Sequence, residues 1–367
     1  MRSSAILASV LILGAVGVAA VAKPVPPPGK KPDAVPAFKP IEIASELNQN
    51  DPNDPKIGNP SKKYTVKLAK DRTYVIDLEA KDFDAYLRLL DKTGKQLAED
   101  DDGGGDLNSR IIHSPTDGGD HQIVVTTFDA NLGKFNLRVR ELNIKAEAKP
   151  RQLTKNSLEH AGNLGANDKT DLGKLSTTVS VQLKAGQSYL FEVDSEDFDC
   201  QLYVFDRKNR LLGQDLAKVV CAATEDGVHN LVVASFDGML GKFNLKVRSF
   251  NLKGEAKPRA IGKDGLSITA NINANDQTAL EKLGKVYSVQ LKAGQTYTIE
   301  LASATMDSYL YLFDSNSKLM GEDDDSGGNL DSRITFRAER DGVYHIVAST
   351  LVGDETGEFT LRVREGK

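Results

Sequence analysis

The sequence predicts an all-β protein built as three tandem antiparallel β-sandwiches, and three observations predict it: a long internal repeat, period-two alternation, and regularly placed turn clusters. GKFNLRVRELNIKAEAKPR at 133–151 matches GKFNLKVRSFNLKGEAKPR at 241–259 in 14 of 19 positions, and VQLKAGQSY at 181–189 matches VQLKAGQTY at 289–297 in 8 of 9. Outward from these anchors Tyr74, Tyr189 and Tyr297 fall in register, as do Asp84, Asp199 and Asp307, and Gly133, Gly241 and Gly357. The repeat lengths of 115 and 108 residues are far longer than a solenoid unit and suit an independent sandwich.

Each element follows in chain order. Met1-Arg2 gives a positive start, Ala5 to Val18 an apolar run, and Ala20-Val21-Ala22 a small-x-small site before Lys23-Pro24, the layout of a secretory signal peptide cleaved after Ala22. The alternative is a retained anchor, since the apolar stretch is near the lower limit for a bilayer span. Seven prolines between Pro24 and Pro40 make an extended tether that cannot bury a core. The domain boundaries expected are thus 1–22 signal peptide, 23–40 linker, 41–148 copy one, 149–256 copy two and 257–367 copy three. No membrane span is expected after signal cleavage.

Within the copies Tyr64, Val66 and Leu68, then Tyr74, Ile76 and Leu78, then Phe135, Leu137 and Val139 alternate with polar residues, the mark of half-buried strands. Asp91-Lys92-Thr93-Gly94, Asp206-Arg207-Lys208-Asn209 and Asp314-Ser315-Asn316-Ser317 supply matching turns. A short helix near Asn275 to Leu283, capped by Asp276, is the one helical expectation. Connectors at Lys149-Pro150 and Lys257-Pro258 read as short and stiff.

Composition narrows the function. The 367 residues carry 47 Lys+Arg against 52 Asp+Glu, a net charge of −5, so the basic footprint of a nucleic-acid binder is missing. Two Cys and no Trp exclude a disulfide-dense scaffold or a Cys-based zinc finger. His121 and His229 occupy the place of Tyr344, with His345 one position on, and read as strand residues rather than zinc ligands. No nucleophile elbow, Walker loop or His-Glu-x-x-His is present.

A series of short motifs resembles the bacterial pre-peptidase C-terminal domain. Copy three carries Asn275-Asp276, Gly294-Gln295-Thr296-Tyr297, Asp307-Ser308-Tyr309-Leu310, an acidic Gly-rich loop from Asp323 to Gly328, Ser332-Arg333-Ile334, Gly342-Val343-Tyr344 and Gly357-Glu358-Phe359-Thr360-Leu361. Copy one keeps Asn50-Asp51, Asp84-Ala85-Tyr86-Leu87, the loop Asp100 to Gly105, and Ser109-Arg110-Ile111. The resemblance implies a jelly-roll-like sandwich and a non-catalytic role, with calcium or a matrix polymer as ligand in some members. The paired aspartates that precede an early strand in calcium-binding members are replaced here by Pro60-Ser61-Lys62-Lys63-Tyr64 and its counterparts.

Three groups are the candidate sites. Asp100, Asp101, Asp102 and Asp106, with Asp323, Asp324, Asp325 and Asp331, could turn oxygens onto a hard cation such as calcium; the alternative is a solvated turn paired with Arg110 or Arg333. Copy two lacks seven residues at this loop and the Ser-Arg pair with it. Cys200 and Cys221 both lie in that copy and would form either a disulfide, contributing roughly 3 kcal/mol, or two buried thiols. Asp84, Asp199 and Asp307 recur at one strand start as turn caps or binding groups.

The expected protein is therefore secreted, periplasmic or held in the cell envelope, not an enzyme, and binds an extracellular polymer or envelope protein, with calcium as an optional cofactor. The competing readings are a secreted hydrolase using the acidic loops and an accessory to an exported protease.

Overall fold

The structure is a computed structural model describing residues 37–351 and 355–366; the expected signal peptide and most of the Pro-rich segment lie outside them. Every regular element among the described residues is a strand. Copy one holds β1 Ile41–Glu46, β2 Lys62–Leu68, β3 Tyr74–Ala80, β4 Ala85–Leu90, β5 Gln96–Asp100, β6 Ser109–His113, β7 Gly119–Thr127 and β8 Lys134–Glu141. Copy two holds β9 Arg151–Gln152, β10 Ser157–Leu164, β11 Ser176–Leu183, β12 Ser188–Asp194, β13 Cys200–Phe205, β14 Leu211–Asp215, β15 Lys218–Ala222, β16 Gly227–Ser235 and β17 Gly241–Phe250. Copy three holds β18 Leu266–Ile272, β19 Gly284–Leu291, β20 Thr296–Ala302, β21 Ser308–Asp314, β22 Leu319–Asp323, β23 Ser332–Arg337, β24 Gly342–Thr350 and β25 Gly357–Glu365.

Copy one pairs these strands as β1-β8-β3-β6 and β2-β7-β4-β5, and copies two and three repeat the same order. Eight antiparallel strands crossing between two sheets in this order form a jelly roll. The alternating residues face inward as expected: Ile76, Leu78, Phe135, Leu137 and Val139 are buried in copy one, and Tyr297, Ile299, Leu301, Phe359 and Leu361 in copy three.

The EAKPR repeat has a structural cause. The Glu147 amide donates to Ser180 Oγ at 2.8 Å while its carboxylate accepts from the Ser180 amide at 2.7 Å and pairs with Arg151. Glu255, Ser288 and Arg259 repeat the clamp at 2.8, 3.0 and 2.7 Å. Each connector is thereby laid onto the next copy, through the parallel pair β9-β11 in copy two and the bridge of Arg259 to Val289 in copy three.

One apolar contact, used twice, joins the copies. Val75 and Ile112 point out of copy one and meet Tyr203, Phe205 and Val232 of copy two, with Leu142 and Leu172 wedged between. Leu190 and Val220 of copy two meet Tyr311, Phe313 and Val347 of copy three, with Leu252 and Leu280 in the corresponding places. The Thr73 hydroxyl donates to the Asn209 carbonyl, and the Ser188 hydroxyl to that of Ser317. Both acceptors sit in left-handed turns at φ 61° and 62°.

Neither end of the array repeats the contact. In copy one Arg88 stands where Tyr203 and Tyr311 stand, buried and bonded through Nη1 to both Asp54 oxygens at 2.6 Å. In copy three the outward positions are Thr298 and Thr335. Polar end faces of this kind terminate a stacked array.

The expected helix at 275–283 is not formed. Thr278 bonds back to the Lys282 carbonyl, a bridge closes Gln277 on Leu283, and fully buried Leu280 is drawn into the junction. Burial of that side chain outweighs the weak propensity of a nine-residue segment.

Candidate functional site

The acidic loops fold as closed turns. In copy one the Asp100 carboxylate accepts from the amides of Gly103 at 2.9 Å and Arg110 at 2.6 Å; in copy three Asp323 accepts from Ser326 at 3.1 Å and Arg333 at 2.7 Å. Asp331 accepts from the Ser303 amide at 3.1 Å, a place filled in copy one by Asn108 on Ala80. Asp106 supplies a left-handed residue at φ 54°, which Asp tolerates in turns. Gly104 is required because a Cβ there would lie 2.6 Å from the Asn108 carbonyl oxygen, and Gly327 meets Asp331 in the same way at 2.4 Å.

These contacts assign different work to the eight aspartates. Asp100 and Asp323 satisfy backbone donors within the loop and at the start of the next strand, and Asp331 ties the loop back to the Ser303 amide. Asp101 and Asp102 instead crowd Asp84, as Asp324 and Asp325 crowd Asp307. Burial raises the Asp84 carboxyl above its ordinary range, and Asp129, Asp101 and Asp102 raise it further; burial, Glu355, Asp324 and Asp325 do the same to Asp307. Burial also pushes Asp100 up to about 6, against the two amides it accepts from. Among the described residues no three His, Cys, Asp or Glu side chains are arranged to hold a metal ion. Within the loops, backbone amides already take one oxygen each of Asp100 and Asp323.

The arginines pair differently from the expectation. Arg110 bonds Asp77 on the neighbouring strand and Arg333 bonds Glu300 at 3.0 Å; the loop carboxylates are met by their amides, and Arg333 Nη2 also donates to the Gly327 carbonyl at 3.4 Å. Copy two keeps this cross-strand pair without the loop, since Lys218 meets Glu192 at 2.6 Å in the same register. The pair therefore belongs to the sheet, which is why deleting the loop is tolerated.

Cys200 and Cys221 are free thiols, not a disulfide. Cys200 begins β13 in one sheet, Cys221 lies in β15 of the facing sheet, and both pack in copy two's core. Burial raises them to about 11 and about 12, so they act as small apolar fillers. His121 and His229 are buried in β7 and β16, each with Nδ1 3.0 Å from a glycine carbonyl two residues back. His345 lies in β24 against Ser288 at 3.0 Å. The histidines are strand residues, as read from their spacing.

Asp84, Asp199 and Asp307 mark the end of the sandwich where chemistry gathers. Their amides face the carboxylates of Asp129, Asp237 and Glu355 at 3.3, 3.2 and 2.9 Å. Their carbonyls accept from Phe128, Phe236 and Leu351 at 2.9, 2.8 and 2.9 Å. Sequence reasoning singled out the three aspartates but missed the apolar residues beside them; the signal was a large apolar residue recurring just after β7, β16 and β24.

Comparison with known proteins bears on one copy. Residues 284–350 match the sequence profile of the bacterial pre-peptidase C-terminal domain. That segment runs from β19 to β24 and includes the acidic loop and Asp307. No curated protein matches. Among solved structures, a periplasmic inhibitor of g-type lysozyme from Aeromonas hydrophila, PliG, is 15% identical over 28% of this chain and 94% of its own, at a TM-score of 0.22. The CUB1-EGF-CUB2 region of human MASP-1/3 is 10% identical over 57% and 99%, at 0.20. A structure described as a triple jelly roll fold in the turret assembly of an archaeal virus is 12% identical over 90% and 89%, at 0.18. The jelly-roll assignment rests on strand order.

Proposed function

We propose that the chain is an exported, non-catalytic binding or structural protein made of three modules of the pre-peptidase C-terminal type. The observation that carries this reading is the repeated junction. One family-matched module is joined to two of the same strand order through the same apolar contact, so one end of the sandwich, with its recurring Asp, is presented three times on a single packed body. Linked copies raise avidity for a shared ligand without new contacts. Export rests on the signal-peptide layout of residues 1–22 and on the Pro-rich spacer, and places the binding partner outside the cytoplasm, as an extracellular polymer or an envelope protein.

The test combines fractionation with an activity panel. Protein recovered from the source cell should begin at Lys23 and partition outside the cytoplasm, and residues 23–367 should leave peptide and glycan substrates intact. An uncleaved cytoplasmic product would overturn export. Turnover abolished by Asp101→Asn or Asp324→Asn would establish the hydrolase reading instead.

A further inference from the structure

The large apolar side chains left in solvent are not scattered. Leu107 and Phe128 in copy one, and Leu330 and Leu351 in copy three, are 40–57% exposed and occupy corresponding positions. Copy two offers Leu216 and Phe236, extended by Met239 and Leu240. Single exposed apolar residues need no explanation. The same two positions kept apolar in copies one and three, and the second of them kept apolar as Phe236 in copy two, do, because none of these residues enters a core or a junction.

Backbone hydrogen bonds hold each pair on either side of the recurring aspartate. The Leu107 carbonyl accepts from the Ala85 amide at 3.0 Å while the Phe128 amide donates to Asp84; the Leu330 carbonyl accepts from Ser308 at 3.1 Å while Leu351 donates to Asp307. The Phe128 ring is further fixed by stacking on Tyr86 at 5.9 Å. Around each pair stand carboxylates: Asp101, Asp102 and Asp129 about Asp84, and Asp324, Asp325 and Glu355 about Asp307.

Two lysines of the chain itself show what these stations accept. Lys174 places Nζ 5.4 Å over the Phe236 ring, and Lys282 places Nζ 4.5 Å over the Tyr309 ring. Each also bridges successive copies. Lys174 of copy two lies in the fields of Arg110, Asp100 and Asp102 of copy one, while Lys282 lies in the fields of Asp215 in copy two and Asp324 in copy three. An ammonium on a ring among carboxylates, with its aliphatic stem on apolar surface, is a favourable arrangement.

We propose that these three stations form a docking surface for a lysine-rich polypeptide segment that also carries aliphatic side chains and lies across successive copies. Charge complementarity selects this occupant: the carboxylates call for cations, and the exposed Leu and Phe for apolar contact. The same carboxylates would repel an anionic membrane surface. The inference rests on the binding-module reading and names its partner class.

The experiment is fluorescence anisotropy of residues 23–367 with labelled Lys-Leu-Pro repeat peptides of about 24 residues, ~75 Å when extended at ~3.1 Å per residue. Glu-Leu-Pro and Lys-Ser-Pro repeats of equal length serve as controls. The Lys-Leu-Pro peptide should bind at least about tenfold more tightly than either control. Changing Leu107 and Phe128, or Leu330 and Leu351, to Ser should each weaken it by about tenfold or more, as expected for losing one of several linked contacts. All four side chains are exposed, so thermal unfolding of the variants should match the parent. Equal binding of the three peptides, no binding, or unchanged affinity in the variants would overturn the proposal. So would capture by phosphatidylcholine vesicles lost in the same variants, which would make the surface a membrane contact. Failure here leaves the non-catalytic reading standing; only substrate turnover or cytoplasmic retention removes that.

Discussion

Replacing Phe313 with Ala should uncouple copy three from copy two. The Phe313 side chain is fully buried, yet it belongs to the junction and not to copy three's own core, which is built from Leu310, Leu312, Ile346 and their neighbours. Its ring meets Phe250 of copy two edge-on at 6.0 Å and 88°, and stacks over Tyr311 at 6.0 Å. Truncating a buried Phe to Ala costs about 3–5 kcal/mol; roughly 0.5–1.5 kcal/mol of that is ring pairing beyond buried area. Because Phe313 faces copy two, the loss falls on the term that couples neighbours in a stacked array. The parent should unfold in urea as one transition, followed by the fluorescence of its ten tyrosines. The variant should split, with one copy unfolding ahead of the others and calorimetric enthalpy exceeding the van't Hoff value. The inward-facing control Leu312→Ala should destabilise copy three itself. A single transition in Phe313→Ala, shifted by less than about 1 kcal/mol, the range of an ordinary surface change, would refute the reasoning.

Arg88→Met should cost about 3–5 kcal/mol, since it leaves the buried Asp54 carboxylate without its cation; a urea midpoint near that of the parent would show that the pair is not needed to close the first copy. Asp100, raised to about 6, should make stability fall as pH rises through roughly 4 to 6, because the folded state holds its proton after the unfolded chain has released it. Asp100→Asn should flatten that slope in thermal scans from pH 4 to pH 7. Cys200 and Cys221, raised to about 11 and about 12, should resist iodoacetamide at pH 8 in the native protein and label fully once unfolded without reductant; no labelling under those conditions would mean a bridge.

How much was legible depended on whether a feature is local. The alternation in Tyr74 to Leu78 and Phe135 to Val139 named both strands and their inward faces, and the EAKPR repeat marked a connector before its clamp was known. Cys200 and Cys221 both pack in copy two's core, but β13 and β15 lie in facing sheets, which spacing along the chain does not reveal. The acidic loops read as a cation site or a closed turn because carboxylates cluster there in sequence; which backbone amides bond Asp100 and Asp323 is set by the fold of the loop. Tyr203 and Phe205 carried an unread signal. They are apolar at the outward phase of a strand, which makes sense only if another surface covers them.

By itself, then, the sequence determined that the chain is all-β, that it repeats three times, which residues face each core, and where copy two departs from its neighbours. These are consequences of side-chain alternation and turn chemistry within a few residues. Tertiary structure decided the jelly-roll strand order, the meeting of Val75 and Ile112 with Tyr203 and Phe205, the partners of Arg110 and Arg333, and the gathering of Leu107, Asp84 and Phe128 at one end. Each of these joins residues far apart in the chain, and their distances are set by how loops carry strands between sheets and sheets between copies, which no local pattern encodes.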